Sequence, residues 1–231
     1  MHMRHPGADI QPRVAHALRL ALTGAALVMV SGTVCAFTAT LTPVAPKTIY
    51  LQIGNGTFTG GNYTPTNING SPGGSPGKNT TINTVSVSVP AASVGNKTAQ
   101  VMTTNSTASD SFWDGYAFCN APAQLYIGGF YRTTGNGSGT ISVIATVPAS
   151  LTDSAGDTLP FSQISWTSSG NGDGNIAQPF PSGSFSGPSI NVGGFAQNQW
   201  AESCWTFSFA NSTVRAAGTY TGVVLYTLTA P

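Results

Sequence analysis

Alternation of apolar and polar residues over short stretches is the feature that most restricts what this chain can fold into. Phe37, Ala39 and Leu41 alternate with Thr38, Thr40 and Thr42, and Ile141, Val143, Ala145 and Val147 alternate with Thr140, Ser142, Ile144 and Thr146. Trp205, Phe207 and Phe209 interleave in the same way with Cys204, Thr206 and Ser208. Successive side chains of a strand point to opposite faces, so each such stretch lays one face on a core and turns the other to water. Further short strands are predicted at 48–53, around 82–89, around 98–103, at 164–166 and over 218–229. The run from Gln124 to Tyr131 has no polar phase, which predicts a strand buried on both faces. No long stretch carries apolar residues at the 3.6-residue helical spacing.

Gly-rich turns separate these strands at intervals too short for crossover helices, so the pairing is expected to be antiparallel. The expected fold is all-β: one antiparallel Ig-like β-sandwich domain of about eight to ten strands over 37–231. Two stretches lack alternation. Residues 54–79 contain Ser71-Pro72-Gly73-Gly74-Ser75-Pro76-Gly77, with little to bury except Phe58, Tyr63 and Ile68, and read as a long flexible surface loop. Residues 168–191 read as a second loose stretch.

The N-terminus reads as an address. Arg4, Arg13 and Arg19 precede an apolar run over 20–30 and small residues ending at Ala36. A basic region, a short apolar region and small residues before a cut describe a signal peptide, 1–36, cleaved before Phe37. The apolar run is about half of the roughly 20 residues that span a bilayer. The alternatives are an uncleaved anchor and a lipoprotein site at Cys35. The expected location is therefore outside the cytoplasm: periplasm, cell surface or extracellular.

Removing the leader changes the charge arithmetic. Only 6% of the whole chain is charged, against roughly 25% in an ordinary domain. Residues 37–231 keep five basic residues (Lys47, Lys78, Lys97, Arg132, Arg215) and six acidic ones (Asp110, Asp114, Asp153, Asp157, Asp173, Glu202), a net charge of −1. Gly, Ser, Thr and Asn make up 91 of these 195 residues. Without clustered Lys and Arg, nucleic-acid binding is excluded. His2, His5 and His16 leave with the leader, so no Ser-His-Asp or Cys-His site can form. Only Cys119 and Cys204 remain, and in an exported chain one disulfide is the simplest outcome, with two buried thiols as the alternative.

Few constellations carry chemistry. Lys47, Lys78 and Lys97 each sit near a turn, outside any Ser-x-x-Lys pattern. Asp110 with Asp114, Asp153 with Asp157, or Glu202 with any of them are the available carboxylate pairs for glycoside hydrolysis. Turn chemistry explains Asp114 before Gly115 and Asp153 before Ser154-Ala155-Gly156. Asn171, Asp173 and Asn175 have the alternating oxygen spacing of a calcium loop, but Ile176 stands where the loop glycine belongs and Ser182 where its glutamate belongs. No metal and no cofactor is expected. Trp113, Tyr116 and Trp200 stand among polar residues, and flat aromatic faces beside amides suit sugars. The structural alternative packs Trp113, Tyr116 and Trp205 on the Cys119–Cys204 bridge, with Trp205 expected in the core.

The ending Ala217-Gly218-Thr219-Tyr220-Thr221-Gly222, followed by a strand, resembles the terminal strand of bacterial surface sandwiches: fimbrial subunits, spore-coat-U-like pilins and WxL-type domains. The phrase from Leu151 to Trp166 is similar to a turn-and-strand phrase of such proteins. The Cys119–Cys204 spacing departs from the N-terminal disulfide usual in fimbrial subunits, and no Trp-x-Leu motif occurs. The resemblance implies a secreted Ig-like surface module with 37–46 as a donor strand; the plainer reading of its β pattern is the domain's own first strand, and a disordered tail is the third. Tyr220 after Gly218 is placed to bond back to upstream backbone as a tyrosine corner.

The function expected on these grounds is a secreted bacterial cell-surface structural or fimbria-like adhesive protein without catalytic activity. A carbohydrate-binding module is the second reading and a carboxylate-dependent hydrolase the third. The expected partners are further copies, other surface proteins or glycans, with no nucleic acid and no membrane span after leader removal.

Overall fold

The computed structural model describes residues 48–63, 74–77, 79–133, 139–170 and 177–229. The expected leader 1–36, the segment 37–46, Lys47, Ile68, Lys78, Asn171, Asp173 and Asn175 lie outside the described residues. In chain order the strands are β1 (Thr48–Ile53), β2 (Phe58–Thr59), β3 (Ser75–Pro76), β4 (Val85–Ser86), β5 (Gln100–Val101), β6 (Thr103–Thr104), β7 (Leu125–Arg132), β8 (Thr140–Thr146), β9 (Ser150–Thr152), β10 (Thr158–Pro160), β11 (Ile164–Ser169), β12 (Gly183–Ser184), β13 (Ser189–Ala196), β14 (Trp200–Phe209) and β15 (Leu225–Thr229). Apart from two single 3-10 turns, no helix occurs among the described residues. None of them forms a helix long and apolar enough to cross a membrane.

Two sheets carry the fold. One runs β1-β7-β14-β11-β12, with β5 paired to the end of β14, and the other runs β13-β8-β15. Their ladders are antiparallel, as the short connections demand. Leu125, Ile127 and Tyr131 of β7, Trp205 and Phe207 of β14, Ile141, Val143 and Ala145 of β8 and Phe195 of β13 share one apolar cluster. The alternation read in β8 is thus the imprint of that cluster, with its inward residues fully buried. Trp205 is at 0% exposure in the same core.

Strand β7 is buried on both faces, as its sequence implies. Its two central glycines each make room for an aromatic ring. A Cβ at Gly129 would come within 2.6 Å of the Tyr50 carbonyl oxygen and 2.7 Å of the Phe195 ring on the core side. A Cβ at Gly128 would come within 2.4 Å of the Tyr126 hydroxyl on the other face.

The stretch 168–191 is less loose than its composition implies. Strand β11 runs through Ser169, and Phe180 and Phe185 are buried in the main core. The Phe180 carbonyl accepts the Trp205 indole N–H at 3.0 Å, and the Pro181 carbonyl accepts that of Trp166 at 2.9 Å. Single aromatics among Gly, Ser and Pro carry no period, so sequence pattern does not show them. Strand β13 escapes for a related reason. A bulge between Asn191 and Gly193 shifts its register against β8 and breaks the alternation.

The last strand is shorter than predicted, Leu225–Thr229. Upstream, the Tyr220 hydroxyl donates to the Ala216 carbonyl at 2.9 Å, the back-bond expected of it. Within 54–79, β2 pairs with β3, and Tyr63 is buried against the sheet. Neutral amides tie the other loops. Buried Asn211 donates to the Ser93 carbonyl and accepts from the Gly95 N–H, while Asn55 accepts from the Thr107 N–H and the Ser106 hydroxyl.

Candidate functional site

The outward face of the larger sheet is built from cross-strand rows. Strand pairing sets Tyr50, Phe130 and Trp200 side by side, and Gln52, Gly128 and Glu202 in the next row. Tyr126 and Cys204 form the row after that. An aromatic row, a polar row and a row ending in the disulfide therefore lie on one surface.

The polar row is saturated with hydrogen bonds. The missing side chain of Gly128 lets the Tyr126 hydroxyl reach Glu202 Oε2 at 2.7 Å. The Trp200 indole N–H donates to the same oxygen at 2.7 Å, and the Ser111 hydroxyl donates to Oε1 at 2.5 Å. At the other end the Tyr50 hydroxyl donates to Gln52 Oε1 at 2.6 Å, and Gln52 Nε2 donates to the Gly54 carbonyl at 2.7 Å. Burial pushes the Tyr126 phenol well above its usual range, and the negative charge of Glu202 adds to this. Tyr126 therefore stays a neutral donor.

Loops cover these rows. Phe58 and Tyr63 lie on the aromatic row, with the Tyr63 ring 5.3 Å from that of Trp200. Arg132 stacks over Phe130 at 4.6 Å and Tyr63 at 5.1 Å, and it donates to the Gly74 carbonyl. Phe112 and Phe118 pack edge-on against Tyr126. The segment 110–118 between these two rings is a tight loop. Asp110 bridges Ala117, the Ser111 N–H donates to the Tyr116 carbonyl at 2.8 Å, and Gly115 turns the chain at a φ of 80°. Ser111 ties one end of the loop to Glu202, and the Cys119–Cys204 disulfide ties the other to β14.

At the apex of this fastened loop, Trp113 is 49% exposed and Tyr116 75% exposed. A groove lies on each side. One, of about 480 Å³, is lined by Asn55, Phe58, Asn62, Asp110, Ser111 and Phe112. The other, of about 500 Å³, is lined by Trp113, Phe118, Asn198, Gln199, Trp200 and Glu202.

The fold thus brings Trp113 and Trp200 to one groove, while Tyr116 lines neither. Cys119 and Cys204 are bonded, 85 positions apart. The aromatics packed around the bridge are Phe112, Phe118, Tyr126 and Trp200, in place of Trp113, Tyr116 and Trp205. Trp205 points to the core face of β14, one residue out of phase with Cys204, and Trp113 and Tyr116 ride the loop apex. The aspartates serve turns. Asp114 Oδ1 accepts the Tyr116 N–H, Asp153 Oδ1 accepts the Ala155 and Asp157 N–H groups, and Asp110 accepts the Ser109 hydroxyl. Among the described residues no three His, Cys, Asp or Glu side chains gather to hold a metal. The anchoring role of Glu202 escaped sequence reasoning, although the signal is present. It is the one glutamate in the chain and the one charged residue of its strand. Comparison of the chain with protein-family models, with curated proteins and with solved structures finds no match.

Proposed function

We propose that the protein is an exported β-sandwich of the Ig-like kind that acts without catalysis as an adhesive element at a bacterial surface, making contact through the loop 110–118. One observation carries this reading. The loop is fastened by Ser111 to Glu202 and by Cys119 to Cys204, yet it turns Trp113 and Tyr116 outward. Exposed aromatics on a pre-ordered loop lose little conformational freedom on contact, and Trp and Tyr are the residues that dominate binding surfaces. The disulfide agrees with an oxidising compartment. A non-catalytic role is supported by the carboxylates, since those of Asp114, Asp153 and Glu202 are engaged in holding turns and side chains.

The test is binding of the fluorescently labelled protein to washed cell envelopes, with the double variant Trp113→Ala/Tyr116→Ala as comparison. Envelope retention is expected, falling at least about tenfold in the variant while its far-ultraviolet circular dichroism spectrum stays that of the folded protein. A protein retained equally by both forms, or by neither, would sink the reading. Polysaccharide turnover lost in Asp114→Asn would replace it with a hydrolase.

A further inference from the structure

We propose that the groove between Trp113 and Trp200 binds a neutral carbohydrate chain. This rests on the adhesive role just argued and assigns its ligand class.

Three observations converge. The first is the fixed aromatic wall. The Trp200 ring is held by its indole N–H on Glu202 at 2.7 Å. The Trp113 ring lies 5.7 Å from Tyr63, which in turn lies 5.3 Å from Trp200, so the two indoles flank a common buried ring. Trp113 is further set by its backbone N–H on the Ser111 hydroxyl at 3.0 Å. Trp113 is 49% exposed and Trp200, packed on Tyr50 and Phe130, is half-buried. The indole surface the two leave toward the groove matches the apolar C–H face of a pyranose, and the amphipathic indole tolerates the hydroxyls around it.

The second is the polar rim. Gln199 is exposed at the turn before β14, and Asn198 beside it is held at a φ of 58° with its Oδ1 accepting the Thr133 N–H at 2.9 Å. Asn198 thereby fixes the turn, and the exposed Gln199 side-chain amide carries both a donor and an acceptor, which is what a ring of hydroxyls needs.

The third is charge. Among the described residues no lysine or arginine lines the groove, its one ionisable group is Glu202, and the Arg132 guanidinium is engaged over the Phe130 and Tyr63 rings. A carboxylate with no cation beside the ligand repels sulfate, phosphate and uronate. That leaves an uncharged, hydroxylated ligand with flat apolar faces. The groove volume, about 500 Å³, falls within the range of small-ligand sites, about 300–1,000 Å³.

The experiment titrates the full-length protein with neutral hexaoses of glucose, mannose and N-acetylglucosamine, and with oligogalacturonate and a sulfated heparin fragment, by calorimetry and tryptophan fluorescence. At least one neutral hexaose is expected to bind and to shift the tryptophan emission, while the two acidic probes do not. Trp113→Ala is expected to weaken binding about tenfold and Gln199→Ala about threefold, both with the far-ultraviolet circular dichroism spectrum of the folded protein retained, and Thr227→Ala on the far sheet serves as the unaffected control. Binding of no neutral hexaose, binding of the acidic probes alone, or a Trp113→Ala protein of full affinity overturns the inference. Failure is separable from that of the adhesive reading. Envelope retention that depends on Trp113 but is not competed by any hexaose leaves the adhesion standing and points to a protein partner. Loss of both retention and sugar binding removes both.

Discussion

The two sheets turn very different outer faces to their surroundings. That of β13-β8-β15 carries Thr140, Ser142, Ile144, Thr146, Asn191, Leu225 and Thr227, half-buried or exposed. That of β1-β7-β14 carries Tyr50, Gln52, Tyr126, Phe130, Trp200, Glu202 and Cys204, and loops bearing Phe58, Tyr63, Phe112 and Phe118 close over it. The first face is ordinary alternation, with small hydroxyl side chains toward water. The second is a further layer of core, with a disulfide and a half-buried carboxylate holding one loop in place. So much fastening at one side of a sparsely charged protein supports the proposal that contact is made there.

Breaking the covered face should cost far more than altering the bare one. The largest effect is expected for Cys119→Ala/Cys204→Ala. Opening a loop of 85 positions should destabilise the protein by about 4 kcal/mol in denaturant unfolding. Limited proteolysis should then cut first within 106–122, and a cut first in β8 or β15 would contradict the picture. Next comes Gly128→Val. Its side chain would occupy the space of the Tyr126 hydroxyl and displace it from Glu202, for a loss of about 3 kcal/mol.

Glu202→Gln should follow at about 2 kcal/mol. An amide has one acceptor oxygen, so it cannot serve Ser111 on one side and Tyr126 with Trp200 on the other. The same cluster predicts an alkaline limit. The Tyr126 phenol is raised in the folded state, so its neutral form is the one the fold favours. The resulting stability is complete below the unfolded tyrosine value of about 10 and is lost as pH rises above it. Tyr126→Phe should flatten the fall in melting temperature above about pH 10, and an unchanged slope would place the alkaline limit elsewhere. The smallest effect belongs to the bare face, where Ile144→Thr should change stability by no more than about 0.5 kcal/mol.

Much of the fold was legible before any coordinates. The antiparallel all-β character, the two-sided burial of β7, the burial of Trp205 and the disulfide all follow from residue type and spacing. So do the turn duties of Asp114 and Asp153 and the back-bond of Tyr220. These are local properties, since a period of two, a side chain bonding backbone two residues on, or a pair of cysteines needs no knowledge of distant neighbours. The candidate site was legible only in fragments. Trp113, Tyr116 and Trp200 stood out as aromatics in polar company, but nothing in their spacing joins Trp113 to Trp200 or separates them from Tyr116.

Sequence by itself determined that this chain makes short strands with one wet face, little charge and one covalent cross-link. Only the tertiary structure decided that Gln52, Gly128 and Glu202 share a row, that Phe180 and Phe185 fill the main core, and that one loop stands between two grooves. The physical reason is register. Alternation says which residues of a strand share a face, whereas which strand lies opposite, and at what offset, is settled by the packing of rings such as Phe195 on Gly129 and Tyr126 over Gly128.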